Sequence, residues 1–297
     1  MSLRTIATFG LGKTKIGGTD ESIVLNIVKG SVINFEAPSD ESTSKVSKEK
    51  SDKESAVAET DSEKDEKKPA TEVSKHNSST RVGAIVNAAN EGCLGGGGVD
   101  GAINNAGGIS LLKDRFALPI VGEQDVRCHT GSAVITGPNR YGSLKVPYIV
   151  HAVGPAYFRF SEAMSDEDSD TDTDQDENID FAKPDALLRS AYQESLERCR
   201  ENGITDVAFS LLSAGVFRGK RTLNDVLSIG VTAIRDWVDE QEKTNSKETV
   251  NDSSDDEEQP SKHQLRSVTL CGFSVREVIA LNKVCLSILK DEDSKGE

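Results

Sequence analysis

The sequence predicts an α/β fold, a three-layer α/β/α sandwich with a mixed, largely parallel central sheet. Short apolar runs bounded by turn residues suit buried strands. These runs alternate along the chain with longer stretches whose apolar residues recur at helical spacing. Because strands that alternate with helices are typical of a parallel sheet covered by helices, the alternation favours this sandwich.

The predicted elements follow one another in a regular order. Strands are expected at Ser22–Val28, Val82–Val86, Ala133–Thr136, Tyr148–Val153, Val207–Leu212 and Val268–Phe273. A helix is expected from Leu187 through Cys199, ended by Asn202 and Gly203. Thr222 with Asp225 predicts the start of a helix that runs through Trp237. Ser274 with Glu277 has the pattern of a capping box for a last helix, which ends near Leu289.

Three polar segments interrupt the alternation, at about 38–80, 161–182 and 240–264. They hold almost no large apolar residues, and a chain that cannot bury apolar surface does not offset the entropy of ordering. We therefore predict a single domain over residues 1–297, interrupted by three disordered insertions. The insertions together carry a net charge of -18, so the rest of the chain carries +3 although the whole carries -15.

Composition excludes several classes of function. The acidic net charge argues against binding to nucleic acid or to an acidic membrane surface. The five cysteines form no CxxC pair and the four histidines are scattered, so we expect free thiols, no metal and no cofactor. No signal peptide and no apolar run of about 20 residues is visible. We expect a soluble monomer of the cytoplasm or nucleus.

The stretch VGAIVNAANEGCLGGGGVDGAINNAGG, residues 82–108, is the most informative part of the sequence. A buried strand ends near Asn87 and Asn90, four glycines follow at 95–98, and Asp100 lies where a helix opens. Glycines let a ligand approach the backbone, and amides at a helix N-terminus favour anions. The stretch therefore predicts a phosphate-binding loop. The alternatives are a glycine-rich turn without a ligand and a dinucleotide-binding G-x-G-x-x-G, whose glycines would follow the strand directly.

A second glycine loop has the sequence SAGVFRG, residues 213–219, and also follows a predicted buried strand. Ligands of α/β proteins gather beyond the carboxyl ends of the strands. Two such loops at that edge could hold a pyrophosphate from both sides. Phe217 would add an apolar face there, unless it is an ordinary packing residue.

These motifs resemble the macrodomain family. The first stretch is similar to the family's sequence of strand, NAAN, glycine loop and VDGAI, and CHTGSAVIT at 128–136 is similar to its threonine-glycine strand entry. PYIVHAVGP at 147–155 resembles its central strand, and SLLSAGVFRG at 210–219 resembles its second phosphate loop. The resemblance covers most of the chain outside the insertions, in the family's order.

The resemblance implies an ADP-ribose site. Asn87, Asn90 and Asp100 match the catalytic asparagines and aspartate of MacroD-type hydrolases: Asn90 would hold the distal ribose, and Asp100 would orient or activate a water. Phe217 would lie beside the distal ribose and Phe273 near the adenine. The two loops would enclose the diphosphate, and they comprise Gly95, Gly96, Gly97, Gly98 and Val99, and Ser213, Ala214, Gly215, Val216 and Phe217.

Two positions depart from the family. Ser31 stands where many macrodomains have an aspartate that accepts a hydrogen bond from the adenine amine, so adenine selectivity is in question. Asn104 occupies the place of a histidine. His151, inside a predicted strand, is interpreted as a core residue in preference to a general base.

The resemblance implies a partner, either free ADP-ribose or mono-ADP-ribosylated proteins. The preferred function is hydrolysis of mono-ADP-ribose from acidic side chains, with the related deacetylation of O-acetyl-ADP-ribose using the same pocket. The rivals are a non-catalytic ADP-ribose reader and a phosphatase acting on ADP-ribose 1″-phosphate.

Overall fold

The computed structural model describes residues 3–16, 19–38, 81–162, 180–248 and 265–289. It contains a seven-stranded sheet with five helices among these residues. The strands are β1 (Arg4–Ile16), β2 (Thr19–Lys29), β3 (Gly83–Ala88), β4 (Ala133–Thr136), β5 (Tyr148–Ala152), β6 (Asp206–Ser210) and β7 (Ser267–Gly272). The helices are α1 (Gly98–Ala117), α2 (Tyr157–Glu162), α3 (Ala182–Glu201), α4 (Leu223–Glu248) and α5 (Val275–Leu289).

The sheet is mixed and its centre is parallel. Its strand order is β1-β2-β7-β6-β3-β5-β4, and the five strands from β2 to β5 run in one direction. The edge strands β1 and β4 pair antiparallel with their neighbours. The predicted fold class is confirmed.

Helices cover both faces of the sheet. Along β3, Ala84 and Val86 pack in the hydrophobic cluster that includes α3, α4 and α5, whereas Ile85 packs in the cluster that includes α1. Successive side chains of a strand point to opposite faces, so this alternation separates the two outer layers. The carboxyl ends of the parallel strands remain uncovered at one edge.

The predicted helix starts agree with the hydrogen bonds. The Ser274 hydroxyl accepts a bond from the Glu277 amide at 3.2 Å, and the Glu277 carboxylate accepts one from the Ser274 amide at 2.7 Å. The Thr222 hydroxyl accepts a bond from the Asp225 amide at 3.2 Å. Both pairs satisfy amides that a helix N-terminus would leave unpaired.

Helix α4 is longer than the sequence predicted. It continues from Trp237 to Glu248, and so includes the first residues of the segment predicted as the third insertion. The extension has tertiary contacts, because the Glu242 carboxylate accepts a hydrogen bond from the Lys13 amide of β1. That long-range contact is invisible in the polar local sequence. The rest of that insertion, residues 249–264, lies outside the described residues, as do residues 39–80 and 163–179 of the other two.

Candidate functional site

A cleft of about 460 Å³ lies at the carboxyl ends of four neighbouring strands, β2, β7, β6 and β3. Each strand leads into a different wall of it. Ser31 and Val32 follow β2, and Phe273 follows β7. The walls contain Gly30, Ser31, Val32, Gly98, Val99, Ala102, Ser210, Leu211, Ala214, Gly215, Cys271, Phe273 and Glu277. The cleft therefore brings both glycine loops together, at the edge where α/β proteins bind ligands.

The first glycine loop presents backbone to the cleft at the start of α1. Gly97 is the N-cap of α1, with no side-chain hydrogen bond to the helix, so amides of its first turn are open to a ligand. Gly98 has a φ of 60°, which a residue with a Cβ rarely adopts. A Cβ at Gly97 would meet no atom of the described residues within 4 Å. The loop thus ends at a helix N-terminus with open space in front of Gly97, an arrangement that favours anions in other proteins.

The side chain of Asn90 shapes this loop from within. Its amide nitrogen donates to the Gly95 carbonyl at 2.9 Å, and its amide oxygen accepts from the Cys93 amide at 3.2 Å. Asn90 is exposed, and it lies outside the walls of the cleft. A Cβ built on Gly96 would approach the Asn90 amide nitrogen to 3.2 Å. Asn90 therefore ties Gly95 to Cys93 across the turn of the loop.

Asp100 lies directly behind the loop and is buried, with 3% of its surface exposed. Its Oδ1 accepts hydrogen bonds from the Asn87 amide at 2.7 Å and from the Arg115 guanidinium at 2.8 Å. Its Oδ2 faces the loop, because a Cβ on Gly96 would lie 3.1 Å from it. Among the described residues, Oδ2 has no hydrogen-bond partner. One carboxylate oxygen thus accepts two hydrogen bonds, and the other is buried without a hydrogen-bond partner among the described residues.

His151 belongs to the same buried network. It pairs in register with Asn87 across β3 and β5, its Nδ1 lies 3.2 Å from the Asn87 amide nitrogen, and its Nε2 lies 3.1 Å from the Thr136 hydroxyl. Burial, followed by the nearby positive charge of Arg115, holds the pKa of His151 well below its ordinary range. The imidazole is therefore neutral, accepts from Asn87 and donates to Thr136. A neutral ring with both nitrogens occupied is a core histidine, as the sequence predicted.

The second glycine loop is fixed through Ser213 to the segment that follows β5, which is two strands away from β6 in the sheet. The Ser213 hydroxyl donates to the Pro155 carbonyl at 2.8 Å and is buried. Ala214 and Gly215 then line the cleft, whereas Val216 is 86% exposed. The Phe217 ring stacks on Phe158 of α2 with centroids 6.1 Å apart. Only the middle of this predicted loop faces the cleft.

The wall that follows β7 carries the aromatic side chain. Phe273 is 75% exposed, which leaves its ring available to a planar ligand. Ser31 and Glu277 line the same cleft. One carboxylate oxygen of Glu277 accepts a hydrogen bond from the Ser274 amide, so the capping box of α5 orients this side chain.

The structure divides the predicted site residues into three groups. Those that line the cleft are Ser31, Gly98, Val99, Ala214, Gly215 and Phe273. Those that support it from behind or at its margin are Asn87, Asn90, Gly95, Gly96, Gly97, Asp100 and Ser213. Val216 and Phe217 stand outside its walls. Their roles toward a ligand stay predictions.

Sequence reasoning missed Arg115 and Glu277 as residues of the site. Arg115 is fully buried, yet it lies 15 positions from Asp100 in the chain and outside every recognised motif. No local spacing signals such a pair. Glu277 was recognised as a capping residue, and its position beside the strand end of Phe273 could have suggested a second role.

The described residues contain neither a cluster of three or more metal-ligating side chains nor a helix long and apolar enough to cross a membrane. The five cysteines are free and buried.

Comparisons with known proteins identify the family of the chain. The model of the Macro domain family matches residues 86–171 and 175–223. A macro domain-containing protein of Listeria monocytogenes is 36% identical over 168 residues, which are 56% of this chain and 79% of that protein. The chain belongs to the macro domain family.

Other relatives of this macro domain match over a smaller share of their length. One from Caldanaerobacter subterraneus is 40% identical over 46% of this chain and 63% of its own. The O-acetyl-ADP-ribose deacetylase 1 of Pantoea vagans is 39% identical over 45% of this chain and 63% of its own. The chain thus spans less than two thirds of the length of these relatives.

A solved structure shares the fold of this macro domain. The Oceanobacillus iheyensis macrodomain with ADP superimposes with a TM-score of 0.54 at 18% identity, covering 98% of this chain and 100% of that one.

Proposed function

We propose that this macro domain binds ADP-ribose in the cleft and hydrolyses esters of ADP-ribose. The ester would be mono-ADP-ribose on an acidic side chain or O-acetyl-ADP-ribose, since both carry an acyl group on the distal ribose. The observation that carries the proposal is the Asp100 carboxylate behind the first glycine loop, with Oδ2 directed at that loop. Relatives named O-acetyl-ADP-ribose deacetylase, at 39% and 36% identity, support it.

The cleft suits this ligand in size and charge. Its volume of about 460 Å³ lies within the range of small-molecule sites. The diphosphate would lie between the two loops, where the N-terminal amides of α1 attract negative charge. The adenine would lie against the exposed Phe273 ring, with Ser31 nearby. The distal ribose would then point toward Asn90 and Asp100.

Asp100 would act on a water molecule. A carboxylate whose Oδ1 is held by two donors keeps Oδ2 in one direction, and such an oxygen can accept a proton from water in the transition state. Asn90, exposed at the margin of the loop, would exchange its bond to Gly95 for a ribose hydroxyl. The loop amides would neutralise the diphosphate throughout.

The test compares the wild type with Asp100→Asn. Asparagine keeps an oxygen for Asn87 and Arg115 but cannot take a proton. We expect wild-type turnover of O-acetyl-ADP-ribose or of a mono-ADP-ribosylated acceptor, and a fall of about 10²-fold or more in the variant. ADP-ribose affinity, measured by calorimetry, should change much less. Turnover by Asp100→Asn equal to that of the wild type would contradict the catalytic role of Asp100.

A second candidate function is a non-catalytic ADP-ribose reader. The observation that favours it is the pairing of Asp100 with Arg115, because a buried carboxylate already paired can be purely structural. Intact ADP-ribose binding with no wild-type turnover would support the reader. Release of phosphate from ADP-ribose 1″-phosphate, assayed in parallel, would support a phosphatase instead.

A further inference from the structure

Arg115 is a fully buried arginine at the back of the first glycine loop. Its position depends on a break inside α1, where Gly108 has a φ of 61° and a non-helical ψ of -156°. Because Arg115 hydrogen-bonds Asp100 although 15 positions of α1 separate them, the chain must turn back at this break. Arg115 then donates to the Asp100 carboxylate at the start of α1 and to the Cys93 carbonyl before the loop. One guanidinium thus connects both ends of the loop.

The bonds of Arg115 leave the acid asymmetric. Arg115 and Asn87 both donate to Oδ1 of Asp100, and neither donates a hydrogen bond to Oδ2. Within the part of the chain that the structure describes, Oδ2 of Asp100, Oδ1 of Asn87 and one guanidinium nitrogen of Arg115 are buried without a hydrogen-bond partner. Of these atoms, Oδ2 of Asp100 lies beside the loop, because a Cβ on Gly96 would be 3.1 Å from it. Buried polar atoms usually have a partner, so Oδ2 can take a hydrogen bond from the loop side.

The charge of Arg115 also matters for an anionic ligand. A buried carboxylate beside a diphosphate-binding loop would repel a diphosphate, and the repulsion is strong where water is excluded. The guanidinium 2.8 Å from Oδ1 compensates that charge. Removing the guanidinium alone would leave the carboxylate uncompensated.

We propose that Arg115 is a positioning residue that acts through Asp100: it directs Oδ2 at the loop and neutralises the carboxylate toward the ligand's diphosphate. The proposal rests on the proposed function for its catalytic part. Its binding part requires only that the cleft takes ADP-ribose. Arg115 itself does not touch the ligand.

The experiment is a double-mutant cycle of Arg115→Met, Asp100→Asn and the pair together, with kcat and KM measured on O-acetyl-ADP-ribose and affinity measured for ADP-ribose. Arg115→Met should lower kcat about 10–100-fold, because small displacements of a catalytic group have such effects, with a smaller change in KM. In the Asp100→Asn background the same substitution should change neither kcat nor affinity by more than about twofold, because interacting residues are not additive. Arg140→Met removes the same charge at an exposed position and should match the wild type.

A conservative variant keeps the test decisive where Arg115→Met unfolds. Arg115→Lys retains the charge but cannot hold Asp100 and Cys93 in one planar fork. We expect it to retain near-wild-type ADP-ribose affinity and to lower kcat.

Each outcome of the cycle decides the proposal. The proposal would be overturned if Arg115→Met lowered kcat and affinity equally in the wild type and in the Asp100→Asn variant, because Arg115 would then act independently of Asp100. Should the wild type bind ADP-ribose without turnover, the hydrolase function fails and the cycle in affinity alone decides: weaker binding only when Asp100 is present supports the proposal, and additive effects overturn it. A wild type that does not bind ADP-ribose would overturn the proposed function and this proposal together.

Discussion

Gly97 and Gly101 belong to the same loop and helix start but have different reasons to be glycine. A Cβ at Gly101 would approach the Gly96 carbonyl to 2.7 Å, so the fold itself requires glycine there. Gly97 has an ordinary φ of -89°, and a Cβ would meet no described atom within 4 Å. Packing therefore does not require glycine at position 97, whereas a diphosphate bound at this helix N-terminus, as proposed, would.

Gly97→Ser should separate folding from binding. Serine is a better N-cap than glycine, so the free energy of unfolding should rise by a few tenths of a kcal/mol. The serine hydroxyl would accept hydrogen bonds from the free amides of α1 and would occupy the space of a phosphate. ADP-ribose affinity should therefore fall by about tenfold or more. Thermal unfolding and calorimetry measure the two effects.

The control for this variant is Gly10→Ser in β1, where a Cβ also meets no described atom. It should leave ADP-ribose affinity unchanged. Unchanged affinity in Gly97→Ser would contradict a ligand at the N-terminus of α1.

At this scale the sequence predicted the motif residues but not their partners. Asp100, Asn87 and Asn90 stand in one recognisable stretch, so their nearness to one another was visible. Arg115 is brought back by the break at Gly108, and two adjacent glycines in a helical pattern do not say in which direction the chain turns. Asn104, which had no explanation, lies beside Gly95 in the structure.

Strands β4 and β5 are joined by the buried His151 as well as by their backbone ladder. Val134 pairs with His151, and Ile149 pairs with Thr136, whose hydroxyl contacts the His151 ring. The ring is neutral because burial lowers its pKa. Protonation would place a charge near Arg115 and remove the acceptor that Asn87 uses.

This network predicts a pH dependence of stability. The unfolded histidine takes up a proton as the pH falls below about 6.5, whereas the folded one does not, so acidification favours unfolding. The stability from His151 is complete from about one pH unit above 6.5, and it should decrease by about 1 kcal/mol between pH 6.5 and 5.5. Urea unfolding at both pH values measures it.

His151→Gln should be less stable at pH 7.5 but should lack most of this pH-dependent loss. His129→Gln controls for removal of a histidine at an exposed position. A loss between pH 6.5 and 5.5 that is the same in His151→Gln and in the wild type would contradict the assignment.

Elements with strong local signals were predictable, and those that depend on distant contacts were not. The capping pairs fixed the starts of α4 and α5. Strand β1 was not predicted, because Gly10 and Gly12 interrupt its apolar alternation and its pairing with β2 shifts register there. Its Phe9 and Leu11 are nevertheless buried in the main cluster.

At the scale of the molecule, one sheet edge gathers residues from distant parts of the chain. The cleft combines segments after β2, β3, β6 and β7, because parallel strands end at the same side. Alternation of strands and helices predicts such an edge without predicting the strand order. The order β2-β7-β6-β3 is what brings Ser31 and Phe273 to the loops, and only tertiary structure reveals it.

We expect the chain to form a single macro domain with long insertions. The residues that flank the first one are in contact, since a Cβ on Gly83 would lie 3.0 Å from the Ala37 side chain. A short Gly/Ser linker in place of residues 39–80 can therefore rejoin them, and loop length itself has a small effect on stability. We expect the melting temperature and the ADP-ribose affinity to stay close to those of the full chain. The matched control replaces Ser143, between Gly142 and Leu144, with the same linker. The Ser143 amide donates to the Ala106 carbonyl at 2.8 Å, so this replacement should lower the melting temperature. A large fall in melting temperature on replacing 39–80 would mean that this segment packs on the domain.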